Sequence, residues 1–197
     1  MLRGRTYCFV CRYSGRSPKG LPQEWRSSLM RLYHGTDAFF EKPDLSLCRP
    51  FKDFGRGFYL TPALAVAKRM AERCVERSDW QGAPKYVYVY DFDDSDLTAL
   101  NVKIFSPVVD ELFARFVMAN RRPRSQAIDH NRDNRYDIVV GPIADDRMGL
   151  LFRRFEDGEV TLEYLIDELK FKRLTIQYSF HTSAALAKLT LKEVRRV

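Results

Sequence analysis

The chain has 197 residues, a formal net charge of +7 at pH 7 and a pI near 9.3. This length is enough for one well-buried core and too short for two full domains. Hydrophobic residues make up 45% of the chain and aromatic residues 13%, a composition that excludes a wholly disordered protein. The basic balance favours an anionic partner, such as a dinucleotide, a nucleic acid or an acidic protein surface, without selecting one of them.

Cysteine usage and hydropathy indicate the compartment. The four cysteines are scattered, and only the first two lie close together: Cys8, Cys11, Cys48 and Cys74. A zinc ribbon needs a second close pair, so no metal is expected, and scattered thiols suit a reducing compartment. No apolar run approaches the roughly 20 residues of a membrane span, and no signal-peptide core follows the basic start. We therefore expect a cytoplasmic protein without a membrane partner.

The beginning of the chain differs from the rest. Residues 14–20 are basic, rich in turn formers and without hydrophobic periodicity. We expect residues 1–28 to form a loose basic extension and residues 29–197 to form a single domain. A second group of cations is expected in one polar loop, where a charge run usually forms a solvated face rather than a nucleic-acid contact: Arg121, Arg122, Arg124, Arg132 and Arg135.

Predicted secondary structure begins at residue 29. Thr61 and Pro62 supply a capping hydroxyl and a first-turn proline for a helix over 63–75, where apolar residues recur on one face. Strands are predicted over 29–33, 58–60, 85–92, 97–104, 136–141, 174–180 and 189–194. Further helices are predicted over 107–119, 147–155, 161–170 and a short stretch from Ser183. Strands and helices are interspersed without regular alternation, which predicts an α+β fold with mixed or antiparallel sheets.

Three polar or aromatic residues stand in distinctive local frames. His34 precedes a glycine, Tyr59 follows a glycine-rich turn, and Gln177 begins a hydrophobic strand. In this order they resemble the histidine-tyrosine-glutamate signature of the ADP-ribosyltransferases related to diphtheria toxin and the poly(ADP-ribose) polymerases. One member is changed, because glutamine replaces glutamate.

The resemblance extends over about residue 30 to the end. It is closest to a group of small bacterial proteins of this fold that carry four ordered blocks, found here at residues 33–35, 53–60, 137–142 and 180–182. The four blocks read Tyr-His-Gly, Asp-Phe-Gly-Arg-Gly-Phe-Tyr-Leu, Asp-Ile-Val-Val-Gly-Pro and Phe-His-Thr. Four blocks in order are far more specific than any one of them.

The resemblance implies roles for individual residues in NAD binding and cleavage. His34 would contact a ribose hydroxyl, the backbone of Gly35 would pair with the nicotinamide carboxamide, and Tyr59 would stack on the nicotinamide ring. Gln177 would bind the nicotinamide ribose. His34, Tyr59 and Gln177 are thus the implied catalytic residues, and Thr36 and Met70 complete the implied NAD-binding set.

Two departures from the polymerases weaken the implied site. At the positions where those enzymes place a second stacking tyrosine and a carboxamide-binding serine, this chain has Met70 and Ala67. Gln177 can orient a ribose but carries no negative charge, so it would stabilise the oxocarbenium-like transition state less well than glutamate. On this reading, Gln177→Glu would raise turnover, and single transfer is favoured over chain extension.

Alternative interpretations accompany several of these residues. His34 and Tyr59 taken singly would be structural, Gly55 and Gly57 are expected to serve a tight turn, and Asp145 with Asp146 to begin a helix rather than bind metal. His181 and Thr182 could shape the pocket, although capping of the last helix is preferred. Asp53-Phe54-Gly55 matches the kinase magnesium triplet only in isolation, because the other kinase motifs are missing from the sequence.

The sequence therefore predicts an NAD-dependent mono-ADP-ribosyltransferase that acts on a protein or nucleic-acid acceptor. Analogy with small transferases of this fold suggests a bacterial toxin of a toxin-antitoxin or phage-defence pair, with an antitoxin protein as a possible partner. A module that binds NAD or ADP-ribose with little turnover is the alternative. A relative of the tRNA 2′-phosphotransferases is less favoured, since the second histidine of that family is not found in place of Tyr59.

Overall fold

The computed structural model describes residues 29–80, 82–121, 135–143, 146–170 and 175–197. The predicted extension over 1–28, Asp145, and most of the predicted cationic loop lie outside these ranges. No helix within them is both long enough and apolar enough to cross a bilayer.

The elements follow the predicted order closely. The strands are β1 (Leu29–Thr36), β2 (Phe58–Leu60), β3 (Tyr86–Asp93), β4 (Val102–Ile104), β5 (Ile138–Pro142), β6 (Ile176–Phe180) and β7 (Thr190–Arg196). The helices are α1 (Leu64–Glu76), α2 (Glu111–Arg121), α3 (Asp146–Glu156), α4 (Leu162–Lys170) and α5 (Ser183–Leu186). Short 3-10 turns occur at Leu45–Leu47 and Asp94–Thr98.

The strands form two sheets. The first sheet has the order β1-β3-β7 and is antiparallel, and the second has the order β2-β6-β5-β4. Within the second sheet, β2 and β5 flank β6 in antiparallel pairs, and β4 runs parallel to β5. The predicted α+β class with mixed and antiparallel sheets is confirmed.

The two sheets pack face to face, and helices cover their outer faces. Alternation along the strands sends Leu32, Phe58 and Tyr178 into the core between the sheets. The opposite face of the second sheet buries Val139 against apolar side chains of α2, α3 and α4. Helix α1 covers the outer face of the first sheet, where Gly35 meets its backbone. The second sheet is therefore covered on both faces, which explains the unbroken apolar run of β5.

Two local predictions are wrong. Thr61 does not cap α1: the N-cap is Ala63, without a side-chain cap, because Thr61 is still engaged as a strand residue. Its backbone exchanges two hydrogen bonds with Tyr33, and its hydroxyl donates to the carbonyl of Ile176 at 3.1 Å. The predicted strand over 97–104 shortens to β4, because the Asp93 carboxylate accepts from the Ser95 N–H at 2.9 Å and starts a 3-10 turn.

Candidate functional site

His34 is held in one tautomer by the backbone of the neighbouring strand. Its Nδ1 lies 2.7 Å from the carbonyl oxygen of Tyr59. A carbonyl can only accept, so Nδ1 carries the hydrogen and Nε2 of the neutral ring presents a lone pair. Within the described part of the chain Nε2 has no partner. Burial lowers the pKa of His34, and the hydrogen bond to Tyr59 opposes this shift only in part, so the imidazole is neutral at pH 7.

The same hydrogen bond separates two strands. Tyr33 and Thr61 exchange backbone hydrogen bonds of 2.8 and 2.9 Å, as in an antiparallel ladder. Continuation of that ladder would next pair Gly35 with Tyr59. The Tyr59 carbonyl is instead taken by the His34 ring, so β1 and β2 part at this point.

Gly35 consequently keeps an open backbone edge. Alternate residues of a strand direct their backbone groups to the same side, so Gly35, like Tyr33, directs its N–H and C=O away from β3. Neither group has a partner among the residues that the structure describes. On its other side, a Cβ at Gly35 would lie 1.8 Å from the carbonyl oxygen of Ala67 in α1. Only glycine allows this close approach of α1. The N–H and C=O of Gly35, a donor and an acceptor, lie side by side at the open edge of β1.

Tyr59 secures the turn that precedes its own strand. Its hydroxyl donates to the carbonyl of Gly55 at 2.7 Å and accepts from the N–H of Phe54 at 3.0 Å. Gly55 has a φ of 84°, in the region that favours glycine. The side chain is half-buried, with its ring 6.3 Å from that of Phe54. The predicted glycine turn is confirmed, and Tyr59 has a structural task beside any ligand contact.

Gln177 is bound to a carboxylate. Its Nε2 lies 2.8 Å from Oδ2 of Asp53 and 3.1 Å from the carbonyl oxygen of Pro142. Both partners are acceptors, so both amide hydrogens are used and Oε1 remains the acceptor of this side chain. Asp53 and Gln177 are only 8% and 7% exposed, so the contact is shielded from water.

Arg121 balances the charge of Asp53. Its Nη2 and Nε lie 2.6 and 2.8 Å from Oδ1 of Asp53, so the two oxygens of the carboxylate serve different partners. The prediction that Arg121 belongs to a solvated cationic loop is therefore wrong: it is the last residue of α2, and its guanidinium binds Asp53. The sequence interpretation also missed Asp53 as a polar partner, although it opens the second block.

Glycines bring the blocks together. A Cβ at Gly57 would lie 2.6 Å from Oγ of Ser179 and 2.7 Å from the ring of His181. A Cβ at Gly141 would lie 3.0 Å from the ring of Phe54. Because these positions lack side chains, residues 53–57 lie directly on β5 and β6. Ser179 Oγ is buried in this contact and has no partner within the described residues.

The last block is divided between two tasks. Thr182 caps α5 by accepting from the Ala185 N–H at 3.2 Å, and its hydroxyl donates to Asp137 at 2.6 Å. The preferred capping role is confirmed for Thr182. His181 is buried, its Nδ1 donates to the carbonyl of Arg56 at 2.7 Å, and its ring lies edge-on to Tyr59 at 6.5 Å. His181 therefore holds the glycine turn against β6.

The remaining predicted contacts flank Gly35. Thr36 is buried, and its hydroxyl accepts from the N–H of Ala38 at 3.1 Å, which turns the chain after β1. Met70 is half-buried in α1, three residues after Ala67 and so on the side of the helix that meets Gly35.

Three adjoining strands thus supply the predicted triad. Tyr59 lies opposite Ser179 across the β2–β6 pair, so Tyr59 and Gln177 share one face of the second sheet. His34 lies on β1 with its ring 4.4 Å from Phe58, and it meets Tyr59 through the backbone. No hydrogen bond or ring contact joins His34 to Gln177 in the part of the chain described. The arrangement offers ring, acceptor and backbone groups around the point where β1 and β2 part.

Residues 30–191 match the family model described as "Protein of unknown function (DUF3990)". No curated protein and no solved structure matches the chain.

Proposed function

The chain belongs to the family described as "Protein of unknown function (DUF3990)", and we propose that it is an NAD-dependent mono-ADP-ribosyltransferase. The reaction would break the bond between nicotinamide and ribose and transfer ADP-ribose to a nucleophile on a protein or nucleic acid. NAD is a substrate in this proposal, and no metal takes part.

The observation that carries the proposal is the hydrogen bond from His34 to the Tyr59 carbonyl. It leaves the Nε2 lone pair of His34 available to a ribose hydroxyl and the backbone of Gly35 available to a carboxamide. A carboxamide has one acceptor and two donor hydrogens, which complement an adjacent N–H and C=O. Tyr59 offers an aromatic ring on the neighbouring strand.

Gln177 would orient the nicotinamide ribose through Oε1. Its two amide hydrogens are already donated, so it offers a lone pair without a formal charge. A neutral oxygen stabilises developing positive charge on ribose less than a carboxylate does. Slow turnover is therefore expected, with transfer of single ADP-ribose units.

The test is to incubate the full-length protein with NAD and to measure nicotinamide release by chromatography and NAD binding by calorimetry. His34→Ala and Gln177→Ala should lower nicotinamide release, whereas Asp91→Asn, in the first sheet, should not. Absence of NAD binding at millimolar ligand would refute the proposal. Radiolabelled NAD added to cell lysate would then identify the acceptor as protein or nucleic acid.

A second candidate is a module that binds NAD or ADP-ribose with little turnover. The neutral Gln177 in its buried hydrogen-bond network favours this candidate. Tight NAD binding without nicotinamide release, in the presence of lysate, would identify it. A toxin role with an antitoxin partner would be supported if expression arrested growth only when the His34–Tyr59–Gln177 site was intact.

A further inference from the structure

We propose that Asp53 is a positioning residue for the reaction, which it serves by orienting and polarising the amide of Gln177. This inference rests on the proposed function, because the atom it positions is the one assigned to the nicotinamide ribose. Asp53 itself would not touch the ligand.

The hydrogen-bond geometry determines which way the Gln177 amide faces. The Asp53 carboxylate at 2.8 Å and the Pro142 carbonyl at 3.1 Å are both acceptors of Nε2. A flipped amide would place its oxygen against two acceptors, so the observed orientation is strongly favoured. Asp53 thereby keeps Oε1 as the group that Gln177 can present to a ribose hydroxyl.

The charge of Asp53 adds an electronic effect. A hydrogen bond between an amide and a carboxylate is charge-assisted, and chains of such bonds polarise one another in a shielded environment. Donation by Nε2 to Asp53 therefore increases the electron density on Oε1. The Gln177 oxygen becomes a better acceptor as positive charge develops on the ribose, although no carboxylate touches the ligand.

Arg121 stabilises the buried, charged carboxylate of Asp53. Its paired contacts of 2.6 and 2.8 Å go to Oδ1, while Oδ2 faces Gln177. The cation offsets the desolvation of Asp53 through its contacts with Oδ1, and Gln177 donates to Oδ2. Tyr59 secures the adjacent residues, since its hydroxyl binds the Phe54 N–H and the Gly55 carbonyl.

The chain offers a matched control for Asp53. Asp91 is likewise 8% exposed and lies beside two cations, Arg31 at 3.6 Å and Lys192 at 3.5 Å. It belongs to β3 in the first sheet and bonds none of the residues assigned to the site. A loss of stability shared by Asp53→Asn and Asp91→Asn reports the removal of a buried carboxylate. Any further effect of Asp53→Asn on amide exchange or on kcat reports the positioning of Gln177.

The first experiment does not depend on activity. The chain has four glutamines, so selective ¹⁵N labelling of their side chains gives four pairs of amide N–H signals, and the Gln177 pair is the one lost in Gln177→Ala. We expect this amide to exchange with solvent about fivefold to tenfold faster in Asp53→Asn, because a neutral acceptor holds it less strongly. Asp91→Asn should leave its exchange unchanged. Equal exchange rates in wild type and Asp53→Asn would overturn the inference.

The second experiment separates binding from turnover. Asp53→Asn should lower kcat for nicotinamide release roughly tenfold, as removal of an outer partner of a site residue often does, with a smaller change in KM. Arg121→Lys keeps the positive charge but loses the two-point contact with Asp53, so it should give a kcat between those of wild type and Asp53→Asn. It replaces Asp53→Asn in the test if that variant does not fold. An increase in KM alone, or equal kcat in Asp53→Asn and Asp91→Asn, would overturn the inference.

Failure of the proposed function would look different. Wild-type protein that neither binds NAD nor releases nicotinamide would refute the transferase and, with it, the ribose as the ligand of Oε1. The exchange measurement would still decide whether Asp53 holds the Gln177 amide.

Discussion

His34 takes, through Nδ1 at 2.7 Å, the Tyr59 carbonyl that a continued ladder would have given to the Gly35 N–H. The His34 side chain thus ends the pairing of β1 with β2 and leaves the edge of β1 open at Gly35. The backbone of Gly35 is left unpaired within the described residues, so a backbone donor, a backbone acceptor and an imidazole lone pair stand on two adjacent residues.

Removal of the His34 ring should let β1 and β2 pair further. In His34→Ala the Tyr59 carbonyl is free to accept from Gly35, so the Gly35 amide should become protected from hydrogen exchange and NAD binding should be lost. His34→Asn retains an amide N–H near the position of Nδ1 and should keep the Gly35 amide in fast exchange. Fast exchange at Gly35 in both variants would show that His34 does not separate the strands.

The depressed pKa of His34 predicts a pH dependence of stability. Because burial lowers the pKa in the folded state, the unfolded chain binds more protons between that pKa and the ordinary histidine value of about 6.5. The contribution of neutral His34 is complete above about pH 6.5 and is lost as the pH falls toward the folded-state pKa. Urea unfolding from pH 8 to pH 5 should therefore show a smaller loss for His34→Asn than for wild type. Parallel curves would contradict the assignment.

Gln177→Glu is expected to impair the protein, contrary to the expectation from sequence. A carboxylate at 177 would face Asp53 across a distance that is now a 2.8 Å hydrogen bond. The free energy of unfolding should fall by about 3 kcal/mol, with a deficit that shrinks at low pH as one carboxyl group takes a proton. Turnover should fall as well. The double variant Asp53→Asn/Gln177→Glu restores one donor and one acceptor and should recover stability; if it is no more stable than Gln177→Glu, the repulsion is not the cause.

Two variants of Tyr59 should separate its two tasks. Tyr59→Phe loses the bonds to Phe54 and Gly55, so the free energy of unfolding should fall by about 2 kcal/mol while NAD affinity changes little. Tyr59→Ala should also weaken NAD binding, by about 0.5–1.5 kcal/mol for the lost ring contact. The control is Tyr90→Phe, because the Tyr90 hydroxyl is buried without a partner among the described residues. Equal losses in Tyr59→Phe and Tyr90→Phe would mean that the Tyr59 hydroxyl does not hold the turn.

Gly35→Ala should be among the most damaging single changes. The new methyl would lie 1.8 Å from a backbone oxygen of α1, so helix and strand must separate, at about 3 kcal/mol or more. Gly82→Ala is the control, since its nearest atom is the flexible Trp80 side chain at 3.3 Å, and it should change stability by less than about 0.5 kcal/mol. Thermal unfolding compares the two. Similar melting temperatures would show that α1 does not press on Gly35.

Local patterns sufficed to predict most elements, including the strands that carry Tyr59 and Gln177. The strand over 58–60 and the starts of α4 and α5 follow from hydrophobic alternation and turn formers, which act over a few residues. The failure at Thr61 has a long-range cause: Thr61 has the pattern of a helix cap but is held as a strand residue by Tyr33. A local preference for a helix cap is overridden where a long-range backbone pair holds the same residue in a strand.

Only the tertiary structure could decide what the triad residues touch. Asp53 and Gln177 are 124 positions apart, and Arg121 is 68 positions from Asp53. Their contact depends on strand register and on Gly57 and Gly141, which let residues 53–57 lie against β5 and β6. Periodicity shows which face of a strand is buried but not which distant polar group shares that face, because register is set by packing of the whole sheet. The sequence by itself therefore predicted the candidate residues and the strands that carry them, whereas the hydrogen bonds that orient these residues arise from the fold.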